Sequence, residues 1–144
     1  MLVASLALLV AAVVFAFGAT VLLGNSKRIV NRAVFAGTLQ MGVWLLLWHL
    51  TASSRDGLFW LRWTCAVGAL APLNFWIVRE AILQGRTSEL SRDVVRSLPW
   101  LIVSLFFALI PFSDFFIPAS STAGRPQYGW GYYVYLWGLF GLYV

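Results

Sequence analysis

Residues 31–52, NRAVFAGTLQMGVWLLLWHLTA, carry no formal charge after Arg32, and that uncharged length restricts what the chain can fold into more than any other feature. As a helix rising 1.5 Å per residue, the stretch is long enough to cross a hydrocarbon core of about 30 Å. Residues 2–23 repeat the pattern without one charged side chain, and as a helix their 22 residues reach about 33 Å. Lipid offers the backbone no hydrogen-bond partners, so uncharged runs of this kind cross a membrane as helices whose N–H and C=O groups bond within the segment. The rest of the composition agrees. The chain is 61% hydrophobic and 10% charged, against roughly 25% charged in an ordinary soluble domain, and its mean hydropathy is +0.84.

A net charge of +5 on a soluble protein would invite a nucleic-acid reading. Here the lysine and arginine residues stand between apolar blocks, so they read as topological marks, and no nucleic-acid partner is expected. The N-terminus lacks a basic region, and its apolar run exceeds that of a usual signal peptide, so a retained transmembrane helix is expected there. Cys65 is the only cysteine, which leaves no internal disulfide, thiolate cluster or CxxC pair.

Within segment one, Ala4, Ala11 and Gly18 recur at seven-residue spacing and offer a stripe where another helix can approach closely. Gly24 and Asn25 break the run, and the basic group Lys27, Arg28 and Arg32 comes next. In segment two, 33–52, Gly37, Gln40, Trp44 and Trp48 approximate one helix face, which the Gln40 amide turns inward toward a partner. Trp48 and His49 sit near the far end, at headgroup level. A short turn, SSRDGLF, then ties segments two and three as an antiparallel pair. In segment three, 60–78, Arg62 is expected to snorkel to the headgroups. Pro72 kinks the helix, and Asn74 serves either a freed carbonyl or another helix.

Residues 79–96 are the most charged part of the chain and read as a solvated loop, with Ser88 or Ser91 capping a short interfacial turn before segment four. Segment four is expected over 98–117, with Pro99 in its first turn, Pro111 bending its far half, Pro118 ending it and Asp114 near that end. Residues 118–131, PASSTAGRPQYGWG, form a long loop carrying Arg125, the part expected to meet an extracytoplasmic signal. Residues 132–144 are apolar but fall short of the about 20 residues a crossing needs. The fold expectation is therefore an all-α, polytopic transmembrane bundle of four complete helices and a truncated fifth, in a chain that is a fragment.

With loops taken alternately, Lys27, Arg28, Arg32, Arg79, Arg86, Arg92 and Arg96 gather on one side and Arg55, Arg62 and Arg125 on the other. The positive-inside bias puts the first group in the cytoplasm and the N-terminus outside. The chain has no GxxxxGK, HExxH, GxSxG or EF-hand pattern, so neither enzyme activity nor a cofactor or metal is expected. Gln40, His49, Asn74, Asp114 and Arg125 are the candidates for signal sensing, with polar packing as the plainer role of each.

Asn31, Arg32 and Phe35 opening a helix, Trp44 beyond them, the run from Trp60 to Gly68 leading into Pro72, and Tyr128-Gly129-Trp130-Gly131 before an aromatic helix form a pattern. It resembles the N-terminal seven-helix sensor region that precedes some bacterial histidine kinases and diguanylate cyclases. The resemblance implies that residues 1–144 are the N-terminal portion of a seven-helix sensor domain in a bacterial cytoplasmic membrane. It also implies a homodimeric parent protein, an output domain beyond this chain, and an extracytoplasmic or membrane-borne signal. The expected function is a membrane-embedded signal input. The alternative is part of a small-molecule transporter or a membrane scaffold that does not signal.

Overall fold

In the computed structural model, the residues described are 2–84, 90–122 and 126–143; of residues 2–4, 84, 90–95, 142 and 143 only the backbone is described. Helix α1 spans Leu2–Gly24, α2 Ile29–Ser53, α3 Gly57–Gly68, α4 Ala71–Gln84, α5 Leu90–Leu109 and α6 Trp130–Tyr143; one 3₁₀ turn, Ile110–Phe112, extends α5. All described regular structure is helical, in keeping with the all-α expectation.

The first two helices form an antiparallel hairpin whose closeness comes from small residues. Ala7, Ala11 and Ala33 are buried between them. Gly18 receives Thr38 and Phe35, and Gly42 receives the ring of Phe15. The stripe of small residues thus has a partner at Ala11 and Gly18, while the Ala4 side chain lies outside the described residues. The connecting turn is held by side chains from the next helix. Asn31 donates from Nδ2 to the carbonyls of Val21 (2.9 Å) and Asn25 (3.0 Å), and Arg32 donates from Nε to that of Ser26 (2.8 Å). The last carbonyls of a helix have no partner within it, and Asn31 supplies one for α1.

Helices α3 and α4 are two halves of one interrupted rod. Pro72 lacks the N–H that would bond four residues back, and its ring clashes with that carbonyl. The helix therefore stops at Gly68, passes through Ala69 and Leu70, and restarts at Ala71 with Pro72 in the first turn. Leu70 N–H bonds to the Val67 carbonyl at 3.1 Å, a tightened i→i−3 link, and Asn74 N–H bonds to that of Leu70 at 3.2 Å. The kink expected at Pro72 is a full break.

The hydrophobic core lies where this break meets the end of α5 and the start of α6. Ala69, Phe116, Ile117 and Tyr135 are buried there, with Leu61, Cys65, Phe107 and Leu139 packed around them. Most other large apolar side chains face outward, including Leu9, Val13 and Phe17 of α1, Phe75 and Ile82 of α4, and Trp137 and Phe140 of α6. An outward apolar surface is unsuited to water and suited to lipid.

Among the described residues three rods are long and apolar enough to cross a membrane: 5–24, 29–53, and 57–83 through the α3/α4 break. The expectation of four complete helices and a truncated fifth is corrected here. The fourth segment, placed at 98–117, begins eight residues earlier, at Leu90, and its α-helix ends at Leu109. Of the stretch expected as a solvated loop, residues 79–84 belong to α4 and 90–96 to α5, and 85–89 lie outside the described residues. Ser91 lies inside α5, and Ser88 lies outside the described residues. Pro99 is an interior residue, and Pro111 in the 3₁₀ turn ends the rod instead of bending it. Among the described residues its apolar part, 96–112, has 17 residues and does not qualify as a span.

The resemblance to a seven-helix sensor region fails on the same count. With α3 and α4 taken as one rod, the described residues form five helical rods of which three qualify as spans, and not a seven-helix arrangement.

Residues 113–117 fold back beneath the end of α5 and are fastened to the start of α6 by two glycines. Gly129 N–H donates to the Phe116 carbonyl and Gly131 N–H to the Phe115 carbonyl, each at 3.0 Å. A Cβ on Gly129 would run into the Phe115 carbonyl oxygen, and one on Gly131 would stand 2.9 Å from it. Backbone cannot yield as a side-chain tip can, so Gly129→Ala is expected to destabilise the fold by about 1–3 kcal/mol. A Cβ on Gly37 meets open space, so Gly37→Ala is expected to be neutral or to stabilise by up to about 0.5 kcal/mol. Reversible unfolding in mixed micelles measures both; equal effects would contradict the glycine contact.

Candidate functional site

The interruption of the third rod places backbone acceptors inside an apolar bundle, and side chains from two other helices meet them. Gln40, on α2, donates from Nε2 to the Val67 carbonyl at 2.6 Å. Its Oε1 in turn accepts from Asn74 Nδ2, on the first turn of α4. Tyr135 of α6 donates its hydroxyl to the Cys65 carbonyl one helical turn before the break. Gly68 leaves room for the Trp44 indole: a Cβ there would stand 3.2 Å from Trp44 Nε1 and 3.6 Å from the Tyr135 hydroxyl. The break is thus lined by Gln40 and Trp44 from one side and by Asn74 and Tyr135 from the others.

The chemistry of this centre is hydrogen bonding between neutral groups. An amide or carbonyl left unpartnered in apolar surroundings costs about 1–3 kcal/mol by mutational measures. Gln40 is suited to the position because one amide both donates to a carbonyl and accepts from a second amide. That the glutamine faces inward, as read from its helix face, agrees with these contacts. Of the two partners open to Asn74, its side chain takes the cross-helix one, while Gln40 serves the carbonyl beside the break.

Closer to the α2–α3 turn, the Thr51 and Thr64 hydroxyls lie 3.1 Å apart, and each is also 2.8–2.9 Å from a carbonyl of its own helix. Two protons serve three contacts, so only two of the three are made at once. Thr64 is buried.

At the same end of the bundle, Arg62 reaches across from α3. It donates to the Phe112 carbonyl at 3.1 Å and to the Ile117 carbonyl at 2.8 Å. Its guanidinium also lies 3.8 Å from Asp114, whose side chain is 80% exposed. The expectation that Arg62 snorkels to headgroups is therefore incomplete, since its planar fork closes the turn beyond α5. Burial pushes the Tyr128 phenol above its ordinary pKa, with Tyr132 and then Cys65 adding to the effect.

The five sequence candidates do not form one site. Gln40 and Asn74 meet directly. His49 lies nine residues beyond Gln40 on the same helix, about 13 Å along its axis. Asp114 belongs to the Arg62 turn at the bundle's rim, and Arg125 lies outside the described residues. Tyr135 is the partner that sequence reasoning did not assign to the centre, whereas Trp44 shares the inward face read for Gln40. Trp44 stands four residues after Gln40, one turn along that face. Among the described residues, no group of three or more histidine, cysteine or acidic side chains is placed to hold a metal.

In comparisons with known proteins, no family model, curated protein or solved structure matches this chain.

If the amides act as a pair, Gln40→Leu and Asn74→Leu should each destabilise the bundle, and the double variant should cost less than their sum. A coupling of about 0.6–1.7 kcal/mol is expected for a hydrogen bond within a membrane bundle. A double-mutant cycle by reversible unfolding measures it, and a value indistinguishable from zero would dissolve the pair.

Proposed function

We propose that this chain is the membrane-embedded input part of a signalling protein, with its output lying outside these residues. The carrying observation is the α3/α4 break, whose Val67 carbonyl is held by Gln40 of another helix. A joint held across helices couples the direction of α4 to the packing of α2. An input unit needs two packings that differ in their affinity for the signal, and such a joint provides a place for them to interchange. In this reading the lipid bilayer is the solvent and the signal is extracytoplasmic or membrane-borne. Dimerisation belongs to the assembled protein, and no reaction is assigned to these residues.

The orientation proposed is N-terminus outside. The turn carrying Lys27 and Arg28, and the α4–α5 junction, then face the cytoplasm, and the Arg55–Asp56 turn faces outward. A broken span with midplane polar groups is also a feature of small-molecule transporters, and that reading is the alternative. Transporters pair two such breaks, whereas the other interruption among the described residues, Ile110–Phe112, ends α5 at the rim.

Two measurements test the proposal, both on a Cys65→Ala background. Spin labels at Phe59 and Ile82, exposed on α3 and α4, should give a distance distribution in nanodiscs that shifts on Gln40→Leu. Proteoliposomes should meanwhile show no uptake of glucose, amino acids or alkali cations. An unchanged distribution would remove the joint, and uptake that saturates with substrate would replace input with transport. For orientation, Ser54→Cys should react with an impermeant maleimide in intact cells and Ser26→Cys only after permeabilisation; the reverse pattern inverts the assignment.

A further inference from the structure

The turn between α2 and α3 holds two opposite charges that the fold itself does not use. Arg55 and Asp56 are consecutive and exposed. Among the described residues, neither side chain makes an ion pair or a hydrogen bond. They are nevertheless well positioned, because the backbone between them is fixed on both sides. Ser54 N–H bonds to the Leu50 carbonyl at 2.9 Å, Asp56 N–H to Ser54 Oγ at 3.1 Å, and Trp60 N–H to the Asp56 carbonyl at 3.2 Å. Together with Leu58 and Phe59, the two residues line an open hollow of about 520 Å³.

The surroundings set the depth of this hollow. Phe59 is 53% exposed, and its ring stands edge-on to Trp60 at 5.1 Å and to Trp63 at 6.4 Å. Trp48 is exposed at the end of α2. Clustered tryptophans at the end of an apolar rod mark the headgroup level of a bilayer. A ligand here therefore meets one guanidinium, one carboxylate and an apolar wall at the boundary between headgroups and hydrocarbon.

We propose that the hollow binds a phospholipid bearing a primary ammonium, with phosphatidylethanolamine as the matching chemistry. The phosphate takes the Arg55 fork, the ammonium donates to the Asp56 carboxylate, and the glycerol and upper acyl chains lie on Leu58 and Phe59. Guanidinium and carboxylate partners both make charge-assisted hydrogen bonds. A quaternary choline has no N–H to give Asp56, and the glycerol head of phosphatidylglycerol brings no cation to it. The choice of lipid therefore rests on having both charges in one turn. The site is separate from the α3/α4 break and stands whether or not that break serves signal input.

The test is lipid binding by the whole chain in detergent, measured by native mass spectrometry with dioleoyl phosphatidylethanolamine, phosphatidylcholine and phosphatidylglycerol. Phosphatidylethanolamine should bind tightest, and Arg55→Gln and Asp56→Asn should each weaken it about tenfold, as expected for one charge-assisted bond lost. Both variants alter exposed turn residues, and an unchanged thermal unfolding midpoint in detergent shows that the fold is kept. Equal binding of the three lipids, or a phosphatidylethanolamine affinity untouched by both substitutions, overturns the proposal. Displacement of the lipid by soluble phosphoethanolamine at matched concentration would identify an aqueous phosphoamine as the ligand and overturn the lipid assignment.

Discussion

The side-chain amide of Gln40 has to be satisfied inside an apolar bundle, and the rest of the arrangement depends on how that is done. Pro72 takes one donor out of the third rod and forces the helix to stop and restart. In water, solvent would take up the slack. In lipid each unpaired group is costly, so the donors have to come from protein. Gln40 supplies one to Val67 while accepting from Asn74, and Tyr135 bonds the Cys65 carbonyl a turn earlier. These bonds tie α2, α3, α4 and α6 to one another at one level of the bundle. The break is thereby a structural joint, and the proposed signal input rests on it.

A second requirement arises where α5 ends. Pro111 stops that helix, and the chain turns back through Phe116 and Ile117, both buried. The Arg62 guanidinium caps two carbonyls of this turn, and the Gly129 and Gly131 amides take two more. The same logic recurs at the opposite end, where Asn31 closes the terminus of α1. At each of these ends and breaks, a polar side chain or a close backbone amide comes from elsewhere in the chain. The polar residues of this hydrophobic protein thus serve largely its own backbone, while Arg55 and Asp56 remain directed outward.

Much of the candidate site was legible in residue type, and less in residue pairing. A glutamine at 40 and an asparagine at 74 in otherwise apolar runs announce a need for partners. They do not say that each is the other's partner, since 34 residues separate them. Tyr135 is harder to see, one of several aromatic residues in a run where nothing local distinguishes the buried hydroxyl from its exposed neighbours. Asp114 and His49 read as equal candidates because each is a lone ionisable group near a helix end, yet the fold keeps both away from the break.

The sequence by itself determines that the chain is helical and suited to a membrane, because uncharged length and lipid's lack of hydrogen-bond partners leave few alternatives. It also locates the discontinuities, since proline's missing donor is a local property. The tertiary structure decides how many rods are long enough to cross, reducing the expected four complete helices to three spans and removing the seven-helix resemblance. The difference arises at Pro111, where a bend and an end look alike in sequence and only the burial of Phe116 and Ile117 beneath the turn chooses between them. It also decides which carbonyl each polar side chain serves, because such pairings depend on how helices are set against one another.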